Sequence, residues 1–137
     1  MIHNSSLIDR QIFIKFTKEG VHRYPAALTD PKLNKGTGGP DSWLDVSFLG
    51  HPHRHIFHFR VTVSVEHNDR DIEFIQFKRE LENQYKESML NIDYKSCEML
   101  AEELIEYIES KYPKRLITVE VSEDGENGAI LTNTRTR

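Results

Sequence analysis

Residues 50–65 read GHPHRHIFHFRVTVSV, so closely spaced histidines lead directly into a strand pattern. Successive side chains of a strand point to opposite faces, which puts His53 and His55 on one face, about 6 to 7 Å apart along the backbone. Two imidazoles in this arrangement can share a metal ion, and catalytic zinc takes three protein ligands and keeps a fourth position open. The pattern predicts a zinc site that needs a third ligand from elsewhere. The alternative is a pair of surface histidines that only form hydrogen bonds.

Length and composition indicate one globular domain that spans residues 1–137. The chain has 37% hydrophobic residues, which suits a single core. Its apolar runs fall short of the roughly 18 residues of a membrane span, and the N-terminus lacks a basic region followed by an apolar stretch. The single cysteine, Cys97, excludes an internal disulfide. We therefore expect a soluble, cytoplasmic protein with no membrane association.

The charge distribution argues against nucleic acid as a partner. The net charge is −4, and the segment 71–126 carries 15 acidic and 7 basic residues. Such an acidic second half does not provide a broad surface for a phosphate backbone. Most of this charge is explained by the solvated face of a helix, which carries Glu102, Glu103, Glu106 and Glu109.

Hydrophobic periodicity predicts four strands and two helices in the order ββααββ. The predicted elements are strands at 11–16 and 53–66, a helix within 72–85, a helix that Ser96 caps and Pro113 follows, and strands at 115–123 and 129–132. This order is typical of an α+β domain with a four-stranded antiparallel sheet that carries both helices on one face. Its two exposed edges favour a homo-oligomer.

A loop rich in glycine and proline spans residues 30–42 and precedes Trp43. A loop of this length is either a lid or binding element or a tolerated surface insertion.

Four local motifs follow one another in the order of a known family. They are Phe16 through His22-Arg23-Tyr24-Pro25; His53-Arg54-His55 with Val61-Thr62-Val63; Ile72-Glu73-Phe74 through Lys78; and Ser96-Cys97-Glu98-Met99-Leu100-Ala101 with Val119-Glu120-Val121-Ser122-Glu123. Together they resemble the 6-pyruvoyltetrahydropterin synthase and 6-carboxytetrahydropterin synthase family, the zinc enzymes of the tunnelling fold.

The resemblance implies a site and an assembly. Zinc would be bound by His22, His53 and His55, and Glu123 would hold the 2-amino-4-oxo edge of a pterin through two parallel hydrogen bonds. The family also implies lyase chemistry on a pterin or purine-derived compound. Its pocket lies between subunits of a homohexamer formed from two stacked trimers.

The sequence departs from the family at the proton-transfer groups. Leu49 stands four residues before the His-x-His, where the family has its catalytic cysteine. The Asp-His pair between the helices is also missing, and the nearest remnant is Asp93-Tyr94. Cys97 lies on the apolar stripe of the second helix, which is typical of a small buried hydrophobic residue. Both standard proton-transfer groups are therefore absent.

His51 is the best local candidate for the general base, because its spacing of two residues from His53 puts it on the same face of the strand as His53 and His55. It could instead replace His22 as a zinc ligand, or lie at the rim without a role. Two main functions remain open: a zinc-dependent lyase or related hydrolytic enzyme with non-standard acid–base residues, and a non-catalytic oligomer that binds a pterin or nucleotide-like ligand. A purely structural oligomer is a third hypothesis.

Overall fold

The computed structural model describes residues 7–23, 53–87 and 90–134. Its elements are β1 (Gln11–His22), β2 (His53–Ser64), α1 (Phe74–Glu82), β3 (Leu90–Asp93), α2 (Cys97–Lys111), β4 (Ile117–Glu123) and β5 (Asn127–Thr132). The α+β class and the succession of two strands, two helices and two strands are as predicted. The short strand β3, between the helices, was not predicted.

The sheet has the strand order β3-β1-β2-β4-β5. The strands β1, β2, β4 and β5 form the predicted four-stranded antiparallel sheet. β3 adds a parallel edge at the end of β1, where Gly20 lies opposite Leu90. The long β1–β2 ladder brings the backbone of His22 opposite that of His53, so β1 ends and β2 begins at the same edge of the sheet.

One face of the sheet and the two helices enclose the core. Phe16 and Phe59 stack on neighbouring strands with ring centroids 4.7 Å apart. The other fully buried large side chains of the described chain include Phe57, Val61, Phe77, Leu81, Leu100, Leu104, Ile108, Ile117, Val119 and Val121. Each buried aromatic or branched aliphatic side chain contributes about 1.5 to 3 kcal/mol relative to its exposed state. Burial of one face of the sheet thus fixes which way the strand side chains point.

The two helices begin at side-chain caps and are joined by a carboxylate. Ser96 accepts a hydrogen bond from the Met99 amide at 3.2 Å, as its predicted capping role requires. Glu80 of α1 accepts hydrogen bonds from the hydroxyl groups of Tyr107 and Tyr112, each at 2.8 Å. Burial and the adjacent Glu80 raise the pKa of Tyr112 to about 12. The hydroxyls therefore stay protonated and donate to Glu80.

An ion pair lies at the end of the sheet farthest from His53 and His55. The Arg115 guanidinium contacts the Asp71 carboxylate and donates to the Ser64 carbonyl at 3.1 Å. The hydrogen bond from Arg115 lowers the pKa of Asp71. In residues 7–23, 53–87 and 90–134, no helix combines the length and the apolar character needed to cross a bilayer.

Candidate functional site

The histidine pair lies at the beginning of β2 on the core-facing side of the strand. The rings of His53 and His55 have centroids 4.8 Å apart and are nearly perpendicular, at 84°. Both Nε2 atoms are screened from solvent. Phe57 and Phe59, further along the strand, point to the same face as the two histidines and are buried. The alternation inferred from sequence therefore places the two imidazoles together, at the point where the apolar face gives way to a polar cluster.

Glu123 reaches this cluster from the end of β4. In the β2–β4 ladder it lies opposite Phe57, two residues beyond His55. Its Oε2 atom is 3.4 Å from Nε2 of His55, and the two side chains are 26% and 21% exposed. The Glu123 carboxylate therefore lies on the Nε2 side of the His55 ring.

Asp124 lies on the other side of the His55 ring. Its Oδ2 atom is 2.7 Å from His55 Nδ1, and its Oδ1 accepts the Ile56 amide at 3.0 Å. The hydrogen bond from Ile56, followed by that from His55, lowers the pKa of Asp124. His55 thus has a carboxylate beside each ring nitrogen.

Asp124 is not among the site residues predicted from the sequence. Asp124 and Gly125 have φ values of 56° and 74°, and the Glu126 amide donates to the Glu123 carbonyl at 3.0 Å. This tight turn carries the Asp124 carboxylate to β2. The contact follows from the pairing of Phe57 with Glu123. No local pattern in the sequence predicts that register.

A cavity of about 400 Å³ adjoins His53 and the first turn of α2. Its wall includes His53, Tyr94, Ser96, Cys97, Glu123 and Gly128. A Cβ atom at Gly128 would lie 2.1 Å from the Val121 carbonyl oxygen, so the close approach of β5 to β4 requires glycine there.

Cys97 forms part of the cavity wall but is buried. Burial, together with the charges of Glu123 and Glu98, raises the pKa of its thiol to about 12. The reactive thiolate is therefore disfavoured. Cys97 has the environment of the small buried hydrophobic residue that the helical pattern predicted.

The other sequence candidates are only partly covered by the described residues. His22 is placed by its backbone, opposite His53. His51, Leu49 and the 30–42 loop lie outside the described residues. Asp93 ends β3 and Tyr94 lines the cavity, so the connection between the helices does reach the candidate site.

The imidazole nitrogens at this edge of the sheet could form part of a zinc site. Neutral imidazole nitrogens are common zinc ligands, and His53 and His55 supply two of them on one face. Among the described side chains, no three histidine, cysteine, aspartate or glutamate groups are placed to hold a metal ion together. A complete site would need a further ligand, for which the sequence offers His22 and His51.

A second cavity, of about 770 Å³, lies at the opposite end of β1 and β2. Its wall includes Arg10, His67, Asp71 and Phe74. The His67 ring accepts the amide of Asp69 at 3.1 Å, and Asp71 is paired with Arg115. These polar groups serve the local structure, so the smaller cavity beside His53 and Glu123 is the better candidate for chemistry.

No protein-family model matches the chain, and no curated protein matches it in sequence.

Proposed function

We propose that this chain is a zinc-binding protein of the tunnelling fold that acts on a pterin or purine-derived compound with lyase-type chemistry. The observation that carries the proposal is that His53 and Glu123 line one cavity and that His55 lies against both of them. These residues come from the ends of two paired strands, and they are the residues to which the motif resemblance assigns zinc and substrate binding. The antiparallel sheet with two helices on one face supports the fold assignment.

His22, His53 and His55 are the proposed zinc ligands. The ladder position of His22 opposite His53 supports its choice as the third ligand over His51. Bound zinc would polarise side-chain oxygens of the substrate. Asp124, through its hydrogen bond to His55, holds one imidazole in place.

Glu123 is the proposed substrate anchor. An ionised carboxylate is an acceptor with two oxygens, and a 2-amino-4-oxo heterocycle offers two parallel N–H donors. The first turn of α2, with Ser96 and Cys97, forms the wall beside it, where a planar ring can pack. His51 is the proposed acid–base group, since Leu49 removes the thiol and Cys97 is held protonated by burial.

A non-catalytic binding protein is the second candidate. It is favoured by Leu49 at the position of the family's cysteine and by the missing Asp-His pair. Such a protein would keep the ring-binding carboxylate and the metal but release its ligand unchanged.

The test of the proposed function is a binding titration with two pteridines. A 2-amino-4-oxopteridine should bind the zinc-loaded protein at least about tenfold more tightly than a 2,4-dioxopteridine, which lacks the 2-amino donor. Equal affinity, or no binding of either, would contradict pterin recognition. Chromatography of a reduced pterin with a hydroxylated side chain then separates the candidates, because only the lyase converts it.

A further inference from the structure

Asp124 connects the β4–β5 turn to β2 through three hydrogen bonds. Its Oδ2 lies 2.7 Å from His55 Nδ1, its Oδ1 accepts the Ile56 amide at 3.0 Å, and its own amide donates to the Ile56 carbonyl at 2.7 Å. The carboxylate is therefore fixed at both oxygens, and its orientation toward the His55 ring does not depend on a single contact.

The chemistry of the two partners determines where the imidazole proton lies. An ionised carboxylate can only accept hydrogen bonds, and the contact of His55 Nδ1 with Asp124, at 2.7 Å, is much shorter than that of Nε2 with Glu123, at 3.4 Å, so Nδ1 is the donor. In a neutral imidazole with a proton on Nδ1, the lone pair is on Nε2. Nε2 is the screened atom on the side of the ring near Glu123.

We propose that Asp124 is a positioning residue that holds neutral His55 in the Nδ1–H tautomer and thereby presents the Nε2 lone pair to a metal ion. This inference rests on the proposed function, in which His55 is a zinc ligand. A carboxylate on the distal nitrogen of a ligand histidine fixes both the tautomer and the ring orientation.

The backbone of Asp124 determines which substitutions the turn accepts. Asp124 has φ of 56°, a left-handed conformation that costs free energy for most residues other than glycine. Aspartate and asparagine tolerate this conformation best, and both suit the first position of an Asp-Gly type of turn. Asparagine can therefore replace aspartate with little change to the turn.

Asp124→Asn is a nearly isosteric test of the tautomer. Its amide oxygen can still accept from the Ile56 amide. Its amide nitrogen then replaces Oδ2 opposite Nδ1 and donates a hydrogen bond, which requires Nδ1 to accept. The variant should therefore move the proton of His55 to Nε2, where it blocks metal binding.

The first measurement uses nitrogen-15 NMR of the histidine rings in metal-free protein, about two pH units above the ordinary imidazole pKa of about 6.5. His55 should be mainly the Nδ1–H tautomer in the parent protein and mainly the Nε2–H tautomer in Asp124→Asn. The same tautomer in both proteins would overturn the inference. This readout needs no metal, so it is independent of the proposed function.

The second measurement is zinc affinity in competition with a chelator. Asp124→Asn should bind zinc about 10- to 100-fold more weakly than the parent, the usual cost of losing an outer-shell partner. Glu126→Gln, in the same turn, is the matched control for loss of charge and should keep the parent affinity. Equal zinc affinity in the parent and Asp124→Asn would overturn the positioning role alone. A parent that binds no zinc would overturn the proposed function.

A second variant, Asp124→Gly, tests the inference if Asp124→Asn fails to fold. Glycine suits the positive φ and removes the carboxylate without introducing a hydrogen-bond donor. It should give a mixture of His55 tautomers and a zinc affinity below that of the parent. A variant that keeps the pure Nδ1–H tautomer would also overturn the inference.

Discussion

The Oε2 atom of Glu123 lies 3.4 Å from Nε2 of His55, although the two residues belong to different strands. The contact follows from the antiparallel ladder that sets Phe57 opposite Glu123. β2 begins and β4 ends at this edge, beyond the apolar core. The side chains at these two strand ends therefore form a polar cluster beside a cavity. The sheet register thus brings Glu123 to the histidine pair.

Glu123→Gln should weaken binding of a 2-amino-4-oxo heterocycle by about 1.5 to 3 kcal/mol, the range for loss of a charged hydrogen-bond partner. The zinc content should not change, because Glu123 is proposed as an anchor and not as a ligand. Calorimetric titration of parent and variant measures the difference. Glu120→Gln is the matched control, since Glu120 lies on the same strand with the opposite parity, opposite Arg60. Equal affinity in the parent and Glu123→Gln would remove Glu123 from the site.

Asp71→Asn should lower the free energy of unfolding by about 1 to 3 kcal/mol at neutral pH, because it removes the charge paired with Arg115. The pKa of Asp71 is lowered in the folded protein, so the pair stabilises fully above the unfolded value of about 3.9. This stabilisation is lost as the pH falls through the lower folded value. Urea unfolding of both proteins should therefore give a difference that narrows below about pH 4.

The exposed Asp69 offers the control for that experiment. Asp69→Asn removes the same charge from the same loop but should leave stability within about 0.5 kcal/mol of the parent. A difference between the parent and Asp71→Asn that stays constant down to the acid transition would contradict the assignment.

Glu80→Ala should destabilise the fold by about 1.5 to 3 kcal/mol, because two tyrosine hydroxyls lose a charged acceptor. Helix propensity cannot explain such a loss, since alanine is the better helix former. Glu102→Ala, on the exposed face of α2, should change stability by less than about 0.5 kcal/mol. Thermal unfolding followed by circular dichroism compares the variants. Equal midpoints for Glu80→Ala and Glu102→Ala would show that the carboxylate does not join the helices.

The resemblance described above predicts a homohexamer in solution. In the described chain β5 forms one end of the sheet and carries Ile130, which is 67% exposed. A closed ring of subunits would pair such an edge with a neighbouring chain. Light scattering should therefore give about six times the chain mass of 16.0 kDa. A mass near 16.0 kDa at micromolar concentration would contradict the hexamer.

The sequence predicted the elements whose residues carry a strong local pattern. β2 begins at His53, and α2 begins directly after its Ser96 cap, as expected. β1 was predicted to end at Phe16 but continues to His22, because pairing with β2 orders a polar stretch that has no hydrophobic alternation. β3 has only four residues and is held by β1, so no local pattern reveals it.

The candidate site was predictable only where its residues are close in the sequence. Alternation along a single strand was enough to place His53 and His55 on one face. The contact of Asp124 with His55 depends on the register between β2 and β4, which is set by burial of both strands against the helices. Local periodicity therefore predicts which side chains share a face, whereas contacts between strands depend on how the faces pack.

The metal content of purified protein tests the central claim most directly. Elemental analysis after zinc loading and dialysis should give about one zinc ion per chain, and His53→Ala or His55→Ala should lose most of it, because removal of one of three ligands sharply weakens such a site. His58→Ala, an exposed position with the opposite parity on the same strand, should keep its zinc. A folded parent protein that binds no added zinc, or histidine variants that all retain it, would contradict the account.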